Sequence, residues 1–251
     1  MRAVVLGASG VIGRQLVDIL AERGVDVVGA HRATGVDAYA GTGLADAFAG
    51  ADVVVDCTNV TTTSARKAID FFDTVAANVG AAATQSGVRR VVCLSIINAA
   101  RPEVNAKFGY YQGKAAQEKR YRDGLDSVTL TVVRSAQWYE LAVQMMASLK
   151  LGPVAAAPHM RCQPLSAHDA AAALADAVTS STDGVVEVAG PAVVDLADIA
   201  KAIARRTGSP RWVVGVKFGG AAIRDGGLVP DSPTVTASTT VDEWLEKEYS
   251  A

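Results

Sequence analysis

The chain has 251 residues, of which 50% are hydrophobic and 20% are charged, and its formal net charge is −2. This composition is typical of a folded globular protein and not of a disordered one. The small negative charge gives no reason to expect binding to nucleic acid or to an anionic membrane surface. The longest uncharged stretch, Thr74–Val88, is shorter than the roughly 20 apolar residues of a membrane-spanning helix.

The cysteine and histidine content argues against a disulfide-stabilised protein and against a zinc-binding protein. The three cysteines are too few and too scattered for a disulfide framework. The three histidines have no paired ligand spacing, so we expect no zinc site. We therefore expect a protein of a reducing compartment, the cytoplasm.

Taken in chain order, the first two thirds of the sequence alternate β-rich runs with helical patterns, which predicts a parallel sheet with crossover helices. Strands are predicted at Arg2–Leu6, Val25–Ala30, Gly35–Tyr39, Val53–Val55, Val91–Leu94 and Val128–Val133. Helices are predicted at Val11–Arg23, Ser64–Ser86 and Gly109–Arg122. The predicted fold class is α/β, a Rossmann-type doubly wound parallel sheet, and the continuous apolar runs indicate strands covered on both faces.

The second predicted crossover helix, Ser64–Ser86, has the clearest apolar stripe, which recurs at steps of three and four residues. The stripe consists of Ile69, Phe72, Val75, Val79 and Ala82.

After about residue 150 the pattern weakens, which predicts a small C-terminal lobe built onto the sheet. Helices are predicted there at Ala167–Val178, Leu196–Ile203 and Val241–Glu248, with strands at Gly184–Val188 and Trp212–Val216. A loop is predicted at Lys217–Thr234.

A glycine-rich turn, Gly7-Ala8-Ser9-Gly10-Val11-Ile12-Gly13, follows the first predicted strand. Gly7 permits a tight turn, Gly10 lets the backbone approach a pyrophosphate, and Gly13 lets helix and strand pack closely. The N–H groups and dipole at the helix N-terminus favour a phosphate charge. A tight turn without a ligand is the alternative, but the strand–turn–helix context favours a dinucleotide site. The residues predicted to bind the cofactor here are Gly7, Ser9, Gly10, Val11, Ile12 and Gly13.

The end of the second predicted strand decides between the two nicotinamide dinucleotides. An NAD site places an acidic residue at this carboxyl end, whereas Asp26 stands at the beginning of the strand. His31 and Arg32 stand at the carboxyl end, and a guanidinium there suits the 2′-phosphate of NADP. We therefore favour NADP(H) over NAD(H), with Arg14 as a second candidate cation. Solvated surface arginines are the alternative.

Two further polar residues follow the strand Val53–Val55, where ligands of open α/β folds bind. Thr58 and Asn59 are predicted to line the cofactor near its nicotinamide ribose, and a plain loop role is the alternative.

Tyr110 and Lys114 lie one helical turn apart on the same face of a predicted helix. A nearby ammonium lowers the pKa of a phenol from about 10 by about 1–3 units. Tyr110 would then exchange a proton with a substrate oxygen, and Lys114 would also hold a ribose hydroxyl. A core or surface tyrosine beside a solvated lysine is the alternative.

These motifs together resemble the short-chain dehydrogenase/reductase superfamily, specifically its atypical, NmrA-like branch of NAD(P)H-binding proteins. The resemblance extends over nearly the whole chain. Besides the glycine turn, it rests on Val53–Asn59, Val91–Asn98, Gly109–Lys119, Thr131–Glu140, Cys162–Ala171 and Val186–Pro191.

The resemblance implies a Rossmann core with a nicotinamide cofactor and a substrate held under the C-terminal lobe. Residues 1–150 would form the NAD(P)-binding core. Residues 151–251 would add the remaining core elements and a small substrate-binding lobe, all in one compact unit. Tyr110 and Lys114 match the catalytic pair of the family. Ser95 is an auxiliary candidate, because Ile96 occupies the position where the family usually has a catalytic serine.

We therefore expect an NADP(H)-dependent oxidoreductase that reduces a small carbonyl, a quinone or a similar compound. Two alternatives stay open: a non-catalytic NADP(H)-binding redox sensor, and an epimerase or isomerase that keeps its NAD(P) bound. The expected partner is a small-molecule substrate, not nucleic acid or a membrane, and a homodimer is compatible with the sequence. The substrate pocket is expected at Trp138, Met145, Met146, His159 and the Lys217–Thr234 loop, with Asn98 or Gln137 as substitutes for the missing serine.

Overall fold

The computed structural model describes residues 1–250, which form an α/β fold. Its strands are β1 (Arg2–Leu6), β2 (Asp26–Ala30), β3 (Val53–Asp56), β4 (Arg90–Ile96), β5 (Thr129–Ser135), β6 (Lys150–Leu151), β7 (Val154–Pro158), β8 (Arg161–Cys162), β9 (Gly184–Ala189), β10 (Val194–Asp195), β11 (Trp212–Val216) and β12 (Val235–Thr236). Its helices are α1 (Val11–Glu22), α2 (Leu44–Phe48), α3 (Ala65–Gln85), α4 (Pro102–Asn105), α5 (Gly109–Gly124), α6 (Tyr139–Ser148), α7 (Ala167–Thr179), α8 (Leu196–Thr207), α9 (Ala221–Arg224) and α10 (Val241–Glu248).

The central sheet has seven strands in the order β12-β9-β5-β4-β3-β1-β2. The pairs β1–β2, β1–β3, β3–β4 and β9–β12 are parallel. The predicted Rossmann-type α/β class is therefore confirmed. Because β1 lies between β2 and β3, the strand order reverses beside β1, and in open α/β sheets this reversal opens a crevice at the carboxyl ends of the strands.

The longest crossover helix agrees with its predicted bounds. Ser64 caps α3, its hydroxyl oxygen accepting the Lys67 N–H at 3.4 Å. Within the predicted apolar stripe Phe72, Val75 and Val79 are fully buried, whereas Ile69 is 40% exposed.

The strand predicted at Gly35–Tyr39 was wrong. Arg32–Thr34 forms a 3-10 turn. The Asp37 carboxylate then accepts the N–H groups of Tyr39 and Ala40 at 2.9 and 3.1 Å. These local bonds turn the chain back on itself, so its amides are not available to a neighbouring strand.

Two compact units divide the chain. Unit 1 consists of Met1–Arg134 and Ala171–Val186, and it contains β1 to β4, α1 to α5 and the part of α7 from Ala171 onward. Unit 2 consists of residues 135–170 and 187–250 and contains a separate three-stranded sheet in the order β11-β7-β6. In unit 2, α6 and α8 pack on β7. The boundary that we predicted at residue 150 stays a prediction. None of the helices in residues 1–250 is both long and apolar enough to cross a bilayer.

Candidate functional site

The glycine turn after β1 has a geometry that larger residues could not adopt. Gly7 has a φ of +73°, and a Cβ added there would lie 2.7 Å from the Cys57 carbonyl oxygen at the end of β3. A Cβ on Gly13 would lie 2.3 Å from the Gly7 carbonyl oxygen. Gly7 therefore allows the tight turn, and Gly13 allows α1 to pack directly against the Gly7 backbone.

The N-terminus of α1 is open to an anion. Gly10 is its N-cap, and no side chain of residues 1–250 caps the helix there. The first turn holds no acidic residue. The first N–H groups of a helix have no partner within the helix, so those of Val11, Ile12 and Gly13 can donate to a phosphate.

A cleft of about 770 Å³ lies at this turn, entirely within unit 1. Its lining joins the carboxyl ends of β1, β2 and β3. The lining residues are Leu6, Gly7, Ser9, Gly10, Ala30, His31, Arg32, Ala33, Val36, Asp37, Ala38, Tyr39, Cys57, Thr58, Asn59, Val60, Thr61 and Phe71. Six predicted cofactor residues are in this set (Gly7, Ser9, Gly10, Arg32, Thr58 and Asn59), whereas Val11, Ile12, Gly13 and Lys114 are not.

Arg32 is the cation at the cleft whose charge is uncompensated. Its side chain is exposed and makes no ion pair or hydrogen bond within residues 1–250. The Arg14 guanidinium, in contrast, donates to the Ser9 carbonyl oxygen at 3.3 Å. Asp26 lies at the other end of β2, where it faces Arg2 at 3.9 Å. The cleft therefore presents a free guanidinium and no carboxylate from Asp26.

Sequence reasoning missed one wall of the cleft, which is formed by residues of the wrongly predicted strand and of α3. The Tyr39 and Phe71 rings stack there with centroids 5.7 Å apart. The Tyr39 hydroxyl donates to Asp70 at 2.7 Å. In the sequence, the only indication of this wall was the polar, glycine-rich composition after β2. This composition does not predict the contacts of Tyr39 with Phe71 and Asp70.

Tyr110 lies at the rim of this site. Its hydroxyl donates to the Asn59 Oδ1 at 3.0 Å, and Asn59 lines the cleft. Its ring packs edge-on against Phe72, with centroids 5.6 Å apart. Burial raises the pKa of Tyr110 well above its ordinary value. The expected lowering of this pKa by Lys114 was therefore wrong, and the phenol keeps its proton at neutral pH.

Lys114 is buried and its ammonium contacts other groups. It donates to the Leu94 carbonyl oxygen at 2.6 Å and to the Gln117 Oε1 at 2.5 Å. It also lies 4.4 Å from the centroid of the Phe72 ring. Within residues 1–250, no hydrogen bond joins it to Tyr110. Both side chains contact the Phe72 ring, and the catalytic role of the pair stays a prediction.

Lys114 belongs to a buried polar network that sequence reasoning did not find. The fully buried Asp56 carboxylate, at the end of β3, accepts the Gln117 amide and the Tyr121 hydroxyl, each at 2.7 Å. It also accepts the backbone N–H and the hydroxyl of Thr58, at 2.9 and 2.6 Å. Since Thr58 lines the cleft, this network connects α5 to the floor of the cleft.

Ser95 is held in a second buried network. Its hydroxyl donates to the Glu118 carboxylate at 2.6 Å. Arg134 donates to the same carboxylate with two nitrogens, at 3.0 and 2.7 Å, and Arg122 donates at 2.7 Å. Ser95 would have to leave Glu118 before its hydroxyl could bond a substrate.

A family model described as NAD(P)H-binding matches residues 7–180, which include the glycine turn, α5 and every lining residue of the cleft except Leu6. The chain belongs to this NAD(P)H-binding family. A search of curated proteins finds no match to the sequence.

Solved structures with the same fold are similar over almost the whole chain. One is a short-chain dehydrogenase/reductase superfamily protein from Agrobacterium tumefaciens with bound NAD, 18% identical, with a TM-score of 0.69 over 98% of this chain and 95% of that one. Another is the NADPH-dependent quinone oxidoreductase QOR2 of Escherichia coli complexed with NADPH, 18% identical, with a TM-score of 0.71 over 99% and 100%. A third is the UDP-N-acetylglucosamine 4-epimerase of Bacillus cereus, 16% identical, with a TM-score of 0.68 over 99% and 98%.

The family match confirms the predicted NAD(P)H-binding character of the chain, and the solved structures confirm the predicted Rossmann-type fold. The NmrA-like branch stays a prediction. At such identities the solved structures establish the fold of this NAD(P)H-binding protein and not its reaction.

The residues expected to line a substrate pocket lie in unit 2, where two of them make specific polar contacts. The Trp138 indole N–H donates to the Ser135 hydroxyl at 2.9 Å. The His159 Nδ1 lies 2.8 Å from the Asp195 carboxylate. Met146 is buried, and a methionine of the hydrophobic core would be buried as well, so its burial does not indicate a pocket. Their role in binding substrate stays a prediction.

Proposed function

We propose that this NAD(P)H-binding protein is an NADP(H)-dependent oxidoreductase that reduces a small carbonyl, a quinone or a similar compound. The observation that carries the proposal is the unpaired Arg32 guanidinium at a cleft built on the glycine turn. A cation without a protein partner suits the 2′-phosphate that distinguishes NADP from NAD.

The chain supplies a complete donor set for the phosphates. The first amides of α1 would hold the diphosphate, and Arg32 would hold the 2′-phosphate. Because Gly7 and Gly13 have no side chains, the start of α1 packs closely against the glycine turn that lines the cleft. When bound, a reduced nicotinamide supplies hydride.

Tyr110 is proposed as the proton donor. Reduction of a carbonyl or quinone leaves an oxygen that must be protonated. The half-buried Tyr110 phenol keeps its proton, and its bond to Asn59 holds the hydroxyl at the rim of the cleft. Lys114 already donates to Leu94 and Gln117, so binding a ribose hydroxyl would require it to exchange one of these bonds.

A redox sensor that binds NADP(H) without turnover is the second candidate, and one observation favours it. The Ser95 hydroxyl is engaged by Glu118, and Ile96 offers no hydroxyl to a substrate carbonyl. Neither residue therefore supplies the hydroxyl donor that the oxidoreductase hypothesis would use.

Two measurements on the purified protein separate these functions. Titration calorimetry compares NADPH with NADH, and absorbance at the nicotinamide band follows NADPH oxidation across a panel of aldehydes, ketones and quinones. We expect tighter binding of NADPH and turnover of at least one class. Tight binding without any turnover would favour the sensor, and equal affinities for the two cofactors would refute the role of Arg32.

A further inference from the structure

The part of unit 2 around its small sheet carries a basic surface that the net charge of −2 conceals. Residues 199–224 contain no aspartate or glutamate, and neither do residues 141–168. These two segments supply β6, β7, β11 and the C-terminal half of α8. Their cationic residues are Lys150, Arg161, Lys201, Arg205, Arg206, Arg211, Lys217 and Arg224.

Several of these cations have no carboxylate partner. Among the described residues, Arg205 and Arg206 at the end of α8 make no ion pair. The Arg211 guanidinium lies 4.7 Å from the Trp212 ring centroid, an arrangement that leaves its charge uncompensated. Lys201 is paired with Asp198 at 2.9 Å. The surface therefore has guanidinium donors free for anionic groups.

An uncovered apolar face lies beside these cations. Trp212 is in register with Val154 on β7, and Leu151 on β6 is in register with the same valine. Trp212 is 51% exposed, Val214 is 52% exposed and Leu151 is 86% exposed. The alternate residues of β7, Ala155 and Ala157, are fully buried, so the exposed set forms the opposite face of the sheet.

Strand β11 also has a free edge. The sheet order β11-β7-β6 places it at the border, and the Trp212 N–H and the Val216 carbonyl oxygen both bond toward the β7 side. In a parallel strand the intervening residues direct their backbone groups to the other edge. Within the part of the chain that the structure describes, the N–H groups and carbonyls of Val213 and Gly215 are therefore free for another strand.

We propose that this surface binds an extended acidic segment of a partner protein, which adds as a strand to the free edge of β11. Backbone bonds at Val213 and Gly215 would hold the segment, and its apolar side chains would cover Trp212 and Val214. Its carboxylates would meet Arg205 and Arg211, which line a groove of about 560 Å³ together with these strand residues.

Two other occupants fit the observations less well. A second copy of the chain would bring the same unpaired arginines together, which is unfavourable. A nucleic acid would use the cations, but the surface offers one stacking aromatic ring among valines and a leucine. Both occupants are outcomes of the test below. The proposal does not depend on the reaction of the cofactor cleft.

The test uses the full chain and a fluorescein-labelled peptide of about seven residues that alternates glutamate and valine. Fluorescence anisotropy should show saturable binding, and the same peptide with lysine in place of glutamate should not bind. The double variant Arg205→Glu/Arg211→Glu should weaken binding at least about tenfold. Val213→Pro removes the Val213 N–H from the free edge of β11. This variant should also weaken peptide binding, although the charge of the surface is unchanged.

The matched control is the double variant Lys67→Glu/Lys247→Glu, which reverses the charge of two exposed lysines outside this surface. It should leave peptide binding unchanged. NADPH affinity should be the same in all variants, which distinguishes a failure here from a failure of the proposed function. The proposal is overturned if the acidic peptide does not bind, if the control variant loses as much affinity as the arginine variant, or if single-stranded RNA binds more tightly. Concentration-dependent dimerisation that Trp212→Asp abolishes would assign the surface to a second copy instead.

Discussion

The hydroxyl of Tyr110 donates to the side-chain oxygen of Asn59, 3.0 Å away, although the two residues are 51 positions apart in the sequence. The contact joins the start of α5 to the loop that follows β3. Close packing of α5 on α3 makes it attainable, since a Cβ on Gly113 would lie 2.7 Å from the Phe72 ring. Asn59 therefore fixes where the proposed proton donor meets the cleft.

Replacing Tyr110 with Phe should remove the proton donor and keep the ring packing against Phe72. General acid catalysis contributes about 10²–10⁴-fold, so kcat should fall by about that factor. NADPH affinity should change less than about twofold, because the Tyr110 side chain does not line the cleft. Steady-state kinetics and calorimetry measure the two effects, and turnover equal to that of the parent protein would rule out Tyr110 as the donor.

The pH dependence of turnover follows from the raised pKa of Tyr110. Burial shifts this pKa upward, so the donor is protonated throughout the neutral and mildly alkaline range. The kcat/KM profile for reduction should therefore show no loss from tyrosine ionisation up to about pH 10, the ordinary pKa of a phenol. A decline centred near neutral pH that disappears in Tyr110→Phe would contradict the direction of the shift.

The sequence predicted the part of the fold that depends on local pattern. Continuous apolar runs predicted the core strands. The strand–turn–helix spacing predicted the glycine turn, which lies where the strand order reverses. The two-residue strands β6, β8, β10 and β12 were not predicted, because such strands are defined by their distant partners and carry no periodicity of their own.

The interior of the site was less predictable for a related reason. Three polar residues of α5 are buried, namely Gln117, Glu118 and Tyr121. Because polar residues usually face solvent, the sequence indicated an exposed helix face at these positions. Their partners lie far away in the sequence, as the contact between Tyr121 and Asp56 shows. Sequence spacing placed Tyr110 and Lys114 on one helix turn, but it could not show that each side chain has a different partner.

Arg32→Ala should abolish the preference for NADP(H). A hydrogen bond to a charged group contributes about 1.5–3 kcal/mol, so the Kd for NADPH should rise about 10–100-fold. The Kd for NADH should stay within about twofold, because NADH has no 2′-phosphate. Arg66→Ala, which removes an exposed arginine outside the cleft lining, is the matched control and should leave both constants unchanged. A parallel loss for both cofactors would assign Arg32 a general structural role.

Gly13→Ala should disturb the turn itself. The added Cβ would lie 2.3 Å from the Gly7 carbonyl oxygen, and this atom is backbone, so relief requires α1 to move away from β1. We expect weaker binding of both NADPH and NADH, by about tenfold or more, because the amides of α1 would shift relative to the cleft. Gly124→Ala is the control, since a Cβ there meets nothing within 4 Å. Unchanged cofactor binding in Gly13→Ala would show that the turn does not hold the diphosphate.

Lys114→Met distinguishes a buried structural cation from a ribose ligand. The substitution leaves the Leu94 carbonyl and the Gln117 amide oxygen without their donor, and it removes the buried ammonium that is linked to the Asp56 carboxylate through Gln117. Uncompensated buried charge is strongly destabilising, so the free energy of unfolding should fall by about 3 kcal/mol. NADPH affinity of the folded variant should change little. Lys119→Met, which removes an exposed lysine of the same helix, should cost less than about 1 kcal/mol. If Lys114→Met instead kept its stability in urea and lost NADPH affinity at least about tenfold, Lys114 would be a cofactor ligand, and the network with Gln117 would be secondary.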